Sequence, residues 1–387
     1  MTKVEKLSYQ LTFLGLCVLA LGVFTSVSFS AISHILLVVP GVYFCLRNFK
    51  EREFSPRPSF YALMGMTVIC WFSVISNWSE IERPMSHIFK TKYFIIALMS
   101  SVSFYYLKKN WLNEKRTKII LNLFLVATTL ATLSGLIGLW GGFNPLKFKG
   151  PCHPTRACGL YGMYMTYGYG ISLFMVLITG LVVFRKRFEK FITPWLLYSA
   201  FIVNLVGLVF SFARGGWLGF LLGVPFLFVK GHTKNFLIGI VAVLFIAGGA
   251  FVGSEKVRDI FTKRQGSNEQ RIAFFETAYA AFKEKPLLGF GYRNFEANSR
   301  AIKVRHDIGH QYFAGHAHNN ALEHLASTGA LGFLAFIIFC LLWLKEAYRE
   351  PIVFSFVMSF LISGLFQYTF GDGENLFLIM GIFSLFS

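Results

Sequence analysis

The sequence predicts an all-α integral membrane protein with about twelve transmembrane helices and one large, partly helical loop between the ninth and the tenth. Three observations carry that expectation. Of 387 residues, 55% are hydrophobic and only 14% are charged, with 45 phenylalanines and a mean hydropathy of +0.56; a soluble domain carries about a quarter charged residues. The apolar residues fall into twelve runs, most of them close to the ~20 residues with which an α-helix crosses the ~30 Å hydrocarbon core. The basic residues gather in alternate connections between those runs.

In chain order the runs are 8–28, 31–48, 59–77, 88–107, 117–140, 160–184, 192–212, 215–230, 235–253, 320–344, 352–370 and 374–386. The first follows Lys3 and Lys6. It exceeds the apolar stretch of a signal peptide and many runs follow it, so an uncleaved helix is expected. The eighth is interrupted by glycine and proline, and the last is short. Loop 47–58 carries Arg47, Lys50, Arg52 and Arg57, and loop 108–118 carries Lys108, Lys109, Lys115, Arg116 and Lys118. RKRFEK at 185–190 adds four more, and Lys230, Lys234, Lys345 and Arg349 complete the set. The alternate loops, such as SNWSEIERPMSH and FGDGEN, are sparse in Lys and Arg by comparison. The positive-inside rule then places both termini in the cytoplasm. The same rule accounts for the net charge of +18, so no nucleic-acid partner is expected.

The chain divides into helices one to nine (1–253), a loop subdomain on the outer side (254–318) and helices ten to twelve (319–387), together one membrane domain. The loop holds eleven Lys/Arg and seven Asp/Glu. Within it, RIAFFETAYAAFKEK (271–285) repeats Ile272, Phe275, Ala278, Tyr279 and Phe282 at helical spacing. Pro286 ends that helix and GFGYRNF turns the chain back. Its aromatic content argues for a folded segment. Neither a sequence repeat nor a low-complexity tract is evident.

Cys17, Cys45, Cys70 and Cys340 lie in apolar runs and read as packing residues. Cys152 and Cys158, in PCHPTRAC, lie in a polar loop. Two readings stand: a disulfide if the loop faces an oxidising compartment, or metal ligands together with His153.

Five of the nine histidines, His306, His310, His316, His318 and His324, crowd into HDIGHQYFAGHAHNNALEH. Three readings compete. His-x-His with an upstream histidine resembles a zinc cluster, but only Asp307 and Glu323 stand nearby as further ligands. Solvated or backbone-bonded imidazoles suit His306, His310 and His324. Acid–base chemistry suits His318: Asn319 or Asn320 is a good N-cap for the tenth helix, and the positive end of that helix keeps an adjacent imidazole neutral. A neutral imidazole takes a proton from a hydroxyl, and free N–H groups at a helix start suit phosphate.

SFARGGWLGF sets Arg214 between the seventh and eighth runs, on the side opposite the basic loops, where an arginine is costly and usually functional. Gly215 and Gly216 permit close approach of backbone or ligand. Arg271, at the head of the loop helix, and Arg156, before the sixth run, fall on the same side. Guanidinium forks grip phosphate oxygens in pairs, so these arginines with one neutral histidine suggest a lipid-linked phosphate or pyrophosphate substrate. GLYGMYMTYGYG (159–170) adds four tyrosines and four glycines, which serve either close helix packing or stacking on sugar.

On these residues the chain resembles the O-antigen ligase family, within the wider O-antigen ligase/polymerase superfamily. The family pattern of His, then Asn, Ser or Gln, nine residues, Gly, two residues, Gly reads here as His318-Asn319, NALEHLAST, Gly329-Ala-Leu-Gly332. Phe333 follows where the family usually has Thr or Val. Arg-x-x-x-Leu reads as Arg214-Gly-Gly-Trp-Leu218, and R…PLLGFG runs from Arg271 to Gly291. The resemblance, with its topology, spans nearly the whole chain.

The resemblance implies a GT-C-like glycosyltransferase in a Gram-negative inner membrane, with its site facing the periplasm. It implies metal-independent, inverting transfer of a glycan from undecaprenyl pyrophosphate to a sugar hydroxyl of lipid A–core, in lipopolysaccharide biosynthesis. His318 would be the general base, with Asn319 and His316 in support, and Arg214, Arg271 and Arg156 would hold the pyrophosphate. No cofactor, metal or obligate protein partner is implied beyond the two lipid-linked substrates and the surrounding lipids. An O-antigen polymerase is the nearest alternative, ahead of a protein O-oligosaccharyltransferase and a lipid-linked glycan transporter. A transporter is disfavoured because the charges cluster at the ends of spans rather than in mid-span.

Overall fold

The computed structural model describes residues 2–229 and 265–386, with isolated positions between 230 and 264. The ninth run, 235–253, and the first part of the long loop, 254–264, lie outside the described residues apart from those positions. Everything described is helix or connection, with no strand among the described residues. In chain order the helices are α1 (Lys3–Gly22), α2 (Val27–Glu51), α3 (Pro58–Ser76), α4 (Pro84–Phe89), α5 (Lys92–Asn110), α6 (Glu114–Gly141), α7 (Tyr164–Val183), α8 (Arg185–Phe188), α9 (Pro194–Ser211) and α10 (Arg214–Gly223). Beyond residue 264 come α11 (Gln265–Glu284), α12 (Phe295–Arg305), α13 (Asn320–Ala347), α14 (Pro351–Gly364) and α15 (Gly373–Phe386). Among the described residues seven helices, α1, α2, α3, α6, α7, α9 and α13, are long and apolar enough to cross a membrane. The all-α membrane fold read from the sequence is thus the observed one.

Local chemistry sets the helix starts. Thr2 and Glu5 form a reciprocal capping box on α1, and Asn113 caps α6 through Arg116 N. Pro58, Pro194 and Pro351 occupy first positions, where a missing N–H costs nothing. Inside the spans, threonines such as Thr12, Thr128 and Thr129 donate to carbonyls one turn back, which satisfies their hydroxyls within the helix.

Three of the expected runs are cut short. Run 88–107 breaks at Lys90–Thr91 into α4 and α5; Thr91 Oγ1 accepts from Trp71 Nε1 at 2.8 Å and donates to Ile88 O at 2.7 Å, so the break is tied down by its own hydroxyl. Run 160–184 becomes helical only at Tyr164, because Gly159 takes a left-handed conformation and packs against the Tyr167 ring. Run 352–370 stops at Gly364. The following segment is held by Asn320, which accepts from Phe370 N at 3.0 Å and donates to Thr369 Oγ1 at 3.0 Å.

The bundle has two chemically different ends. At one, Arg47 bonds Glu5 and Glu51, Arg187 bonds Glu350, Lys109 bonds Glu53, Glu346 accepts from Ser59 N, and Lys108 reaches the carbonyl of Leu385. These contacts gather the basic loops 47–58, 108–118, 185–190 and 345–350 on one side. The other end carries 77–91, 142–163, 212–214, 265–319 and 365–372, and is called here the histidine end.

α13 is the pivot of that end. It breaks at Gly329, where φ is +64° and ψ −165°. The loop from Pro286 to Phe290 lies against the break and repairs its backbone hydrogen bonding: Ala330 N donates to Pro286 O at 2.8 Å, Leu331 N to Leu287 O at 3.3 Å, and Phe290 N to Ala326 O at 3.1 Å. Ser73 Oγ donates to Leu288 O and Ser327 O, and Asn77 Nδ2 to Gly289 O. Broken helix at membrane depth requires such protein partners. A Cβ at Gly329 or Gly289 would collide with backbone across this seam. The Gly-x-x-Gly after the histidines is therefore a docking point for PLLGFG.

α11 is helical as expected, but its buried face differs from the expected one. Ala273, Phe274, Thr277, Ala278 and Ala281 are buried against α12 and α13, while Ile272 and Tyr279 are more than half exposed. Alanine lets the helix approach its neighbours closely, and this outweighs the bulkier stripe.

Candidate active site

Asn319 caps α13: its side chain accepts from Leu322 N at 3.0 Å, while its Nδ2 donates to Leu365 O at 3.2 Å. That cap, and the left-handed backbone of His318 (φ +48°), turn the imidazole out of the helix line. Below the turn, the buried Glu323 carboxylate accepts from Ala317 N at 2.8 Å and from Ser327 Oγ at 3.0 Å. The strand of loop bearing His316 and His318 is therefore held at both ends by side chains of α13.

His318 lines a cavity of about 180 Å³ with Arg156, Arg214, Arg271, Tyr164 and Tyr169. The structure thus brings together all three arginines and the histidine singled out in the sequence, from four separate segments. Arg156 lies over the Tyr164 ring at 4.2 Å, and Arg214 donates to Asn268 Oδ1 at 3.1 Å. Arg271 reaches the Tyr169 hydroxyl, which itself donates to Phe366 O at 3.3 Å. Among the described residues no carboxylate lines this cavity.

His318 Nδ1 lies 2.8 Å from Gln367 Oε1. With that oxygen toward the ring, Nδ1 donates and Nε2 keeps its lone pair; the other end of the amide lies 3.4 Å from His316 Nε2. Burial lowers the pKa of His318; the Gln367 bond opposes that, and Arg271 and Lys303 add to it. The dominant cause is burial, where the sequence had suggested the helix end. His316 lies beside it, the rings tilted by 56° with centroids 4.2 Å apart, and burial first, then His318, Arg293 and Arg271, push its pKa down to about 3. His316 Nδ1 accepts from His318 N at 3.1 Å, so its role seen here is to hold the loop.

The remaining histidines do other work. His306 pairs with Glu284 at 2.7 Å, and His324 is buried in α13 against the Phe336 ring. The backbone carbonyl of His310 lies 3.4 Å from Lys303 Nζ, which donates to Phe313 O at 3.0 Å and sits 3.7 Å over Phe274. Among the described residues no three His, Cys, Asp or Glu side chains converge as a metal set. Cys152 and Cys158 are joined by a disulfide in the loop that presents Arg156. Of the tyrosines at 159–170, Tyr161 donates to Val23 O and Tyr167 bonds Thr132, both as packing groups, whereas Tyr164 and Tyr169 reach the cavity.

Gln367 was not legible as a site residue. Its only signal was a polar residue at the tail of an apolar run, in FQYTFGDGEN. Arg293 and Asp372, which line a second cavity behind His316, were missed for the same reason.

Residues 199–337, from α9 through most of α13, match the O-antigen ligase family model. The match agrees with the resemblance read from the sequence. It contains Arg214, Arg271 and His318, and excludes Arg156 and Gln367. No curated protein matches the chain.

Proposed function

We propose that this multi-pass protein of the O-antigen ligase type transfers a glycan from undecaprenyl pyrophosphate to a sugar hydroxyl of lipid A–core. The observation that carries the reading is the meeting of Arg156, Arg214, Arg271 and His318 around one cavity with no carboxylate in its lining among the described residues. Such a space suits a dianion entering from outside the fold.

In the reaction the acceptor hydroxyl gives its proton to His318 Nε2 as its oxygen bonds to the anomeric carbon. The bond from that carbon to the pyrophosphate oxygen breaks, and its electron pair leaves with the pyrophosphate. The arginines, fixed in advance, stabilise the charge that builds there. Attack opposite the leaving group inverts the anomeric centre. The chain supplies the base and the countercharge itself, so the reading needs no metal or cofactor, and chelator should leave the rate unchanged.

The histidine end faces the periplasm in this reading, with both termini in the cytoplasm of a Gram-negative cell. The basic loops at the opposite end and the disulfide beside Arg156 both favour that orientation. Deletion of the gene tests the function directly. A ligase loss leaves bare core with full-length polymer on the carrier lipid. Core capped by a single repeat would instead assign the chain as a polymerase, and short units trapped inside would assign it to transport.

A further inference from the structure

A second polar cavity, of about 210 Å³, lies on the far side of His316 and Gln367. Its lining includes Arg293, Glu296, Asp372, Thr166, His316 and Gln367. The wall between the cavities is thin: His316 faces the second, His318 faces the first, and their rings are 4.2 Å apart. The start of α7 divides in the same way, with Tyr164 and Met165 on the first cavity and Met163 and Thr166 on the second. Met163 and Glu296 are exposed, so the second cavity opens at the histidine end.

The two cavities differ in charge. Among the described residues the first gathers three guanidiniums and no carboxylate, and the second sets one guanidinium among carboxylates. Arg293 is held over it by a left-handed backbone (φ +59°) and a bond from its guanidinium to Gly371 O, its one hydrogen bond among the described residues. Asp372 is held by Asn375 Nδ2 at 3.3 Å and by Thr166. A pyrophosphate would meet like charge from Asp372 and Glu296, and an acyl chain would strand the polar groups without partners. A neutral ligand rich in hydroxyls, which donate to carboxylates and accept from a guanidinium and an amide, satisfies both sets.

We infer that this second cavity is the acceptor-saccharide subsite: a neutral sugar ring of the acceptor sits between Arg293 and Asp372 and presents its hydroxyl past His316 to His318. The inference rests on the transfer reading above, and it assigns Arg293, Asp372 and Thr166 to the acceptor alone.

The test measures binding as well as turnover in the full-length protein in nanodiscs. The probes are delipidated core oligosaccharide and undecaprenyl pyrophosphate, applied to wild type, Asp372→Asn, Thr166→Val and Arg271→Ala. Asp372→Asn should weaken oligosaccharide binding at least tenfold and leave undecaprenyl pyrophosphate binding within about twofold. Arg271→Ala should do the reverse. Thr166→Val, which removes one hydroxyl near Asp372 and keeps the side-chain shape, should show a smaller loss of the first kind. In turnover, Asp372→Asn should raise KM for core acceptor and not for donor. Oligosaccharide binding that is absent in wild type or indifferent to Asp372→Asn overturns the subsite, as does a rise confined to donor KM. Wild type that binds both probes with this pattern but transfers nothing sinks the ligase reading and leaves the saccharide site standing.

Discussion

The two ends of the bundle are both rich in arginine and use it in opposite ways. At the basic end Arg47 is spanned by Glu5 and Glu51, and Arg187 lies in a two-pronged bond with Glu350 at 2.8 Å to each oxygen. At the histidine end Arg156, Arg214 and Arg271 converge on a space whose lining holds tyrosines, apolar groups and His318. A guanidinium paired with a carboxylate of its own chain is satisfied and serves to tie loops together. Guanidiniums that lean on an aromatic ring, an amide and a phenol have their positions fixed, and among the described residues no carboxylate lines the cavity they share. In the proposed function the difference separates arginines that hold the fold from arginines arranged for an incoming anion.

The largest effect that bears on this contrast is expected at His318. His318→Ala should lower transfer by about 10²–10⁴-fold, the usual contribution of a positioned acid–base group, while the protein still inserts and folds. Core-linked polymer at normal level in that variant would remove the base from the scheme. Next come Arg271→Ala and Arg214→Ala, each expected to cost on the order of 10²-fold in rate. Lysine at either position should restore only part of it, because an ammonium lacks the paired fork. Full activity with lysine at both positions would reduce the cavity to a diffuse positive patch.

The third test concerns the amide that orients the base. With Gln367 Oε1 on Nδ1, His318 Nε2 is free to accept a proton. Turned by half a rotation, the amide would donate to Nδ1 and hold Nε2 as an N–H, which cannot act as a base. Burial keeps the pKa of His318 below its ordinary 6.5. The base form therefore prevails at neutral pH, and the rate should fall only as pH drops through that lowered value. Gln367→Glu replaces an amide with a group that only accepts and that carries charge. It favours imidazolium, so the acid limb of kcat should move to higher pH by about one unit or more. A limb that stays in place, with only KM altered, would assign Gln367 to packing.

How far the sequence reveals this depends on what the local pattern encodes. The spans were legible because lipid demands apolar length, and the two ends because lysine and arginine mark one side. His318 and Arg214 were legible because a polar residue in greasy sequence needs a reason, and Arg271 through its side of the membrane and the R…PLLGFG pattern. Arg156 was placed by side alone. The face of α11 was misread in part since both of its stripes are apolar: Ile272, Phe275, Tyr279 and Phe282 outweigh Ala273, Phe274 and Ala281 by size, yet the smaller stripe packs, and of the expected residues Ala278 is buried with it. The break at Gly329 was hidden, because its partner loop lies some forty positions earlier and only the fold brings PLLGFG against it. Gln367 looked like the tail of an apolar run, and Asp372 like an ordinary loop, for the same reason: their meaning comes from His318, His316 and Arg293 across space.

The smallest effect is the control that gives the contrast its meaning. Arg187→Ala breaks the bond to Glu350 at the basic end, where the arginine side chain is 59% exposed. Exposed pairs of this kind contribute about 0–1 kcal/mol, so unfolding should shift little and transfer should not change. The comparison with Arg271→Ala is then between two single-arginine removals in one protein, differing in the end they occupy and in what each guanidinium faces. A loss of transfer in Arg187→Ala as large as that in Arg271→Ala would mean that arginine matters here through bundle integrity or membrane orientation. The argument from a cavity arranged for an anion would then fall, whatever His318 does.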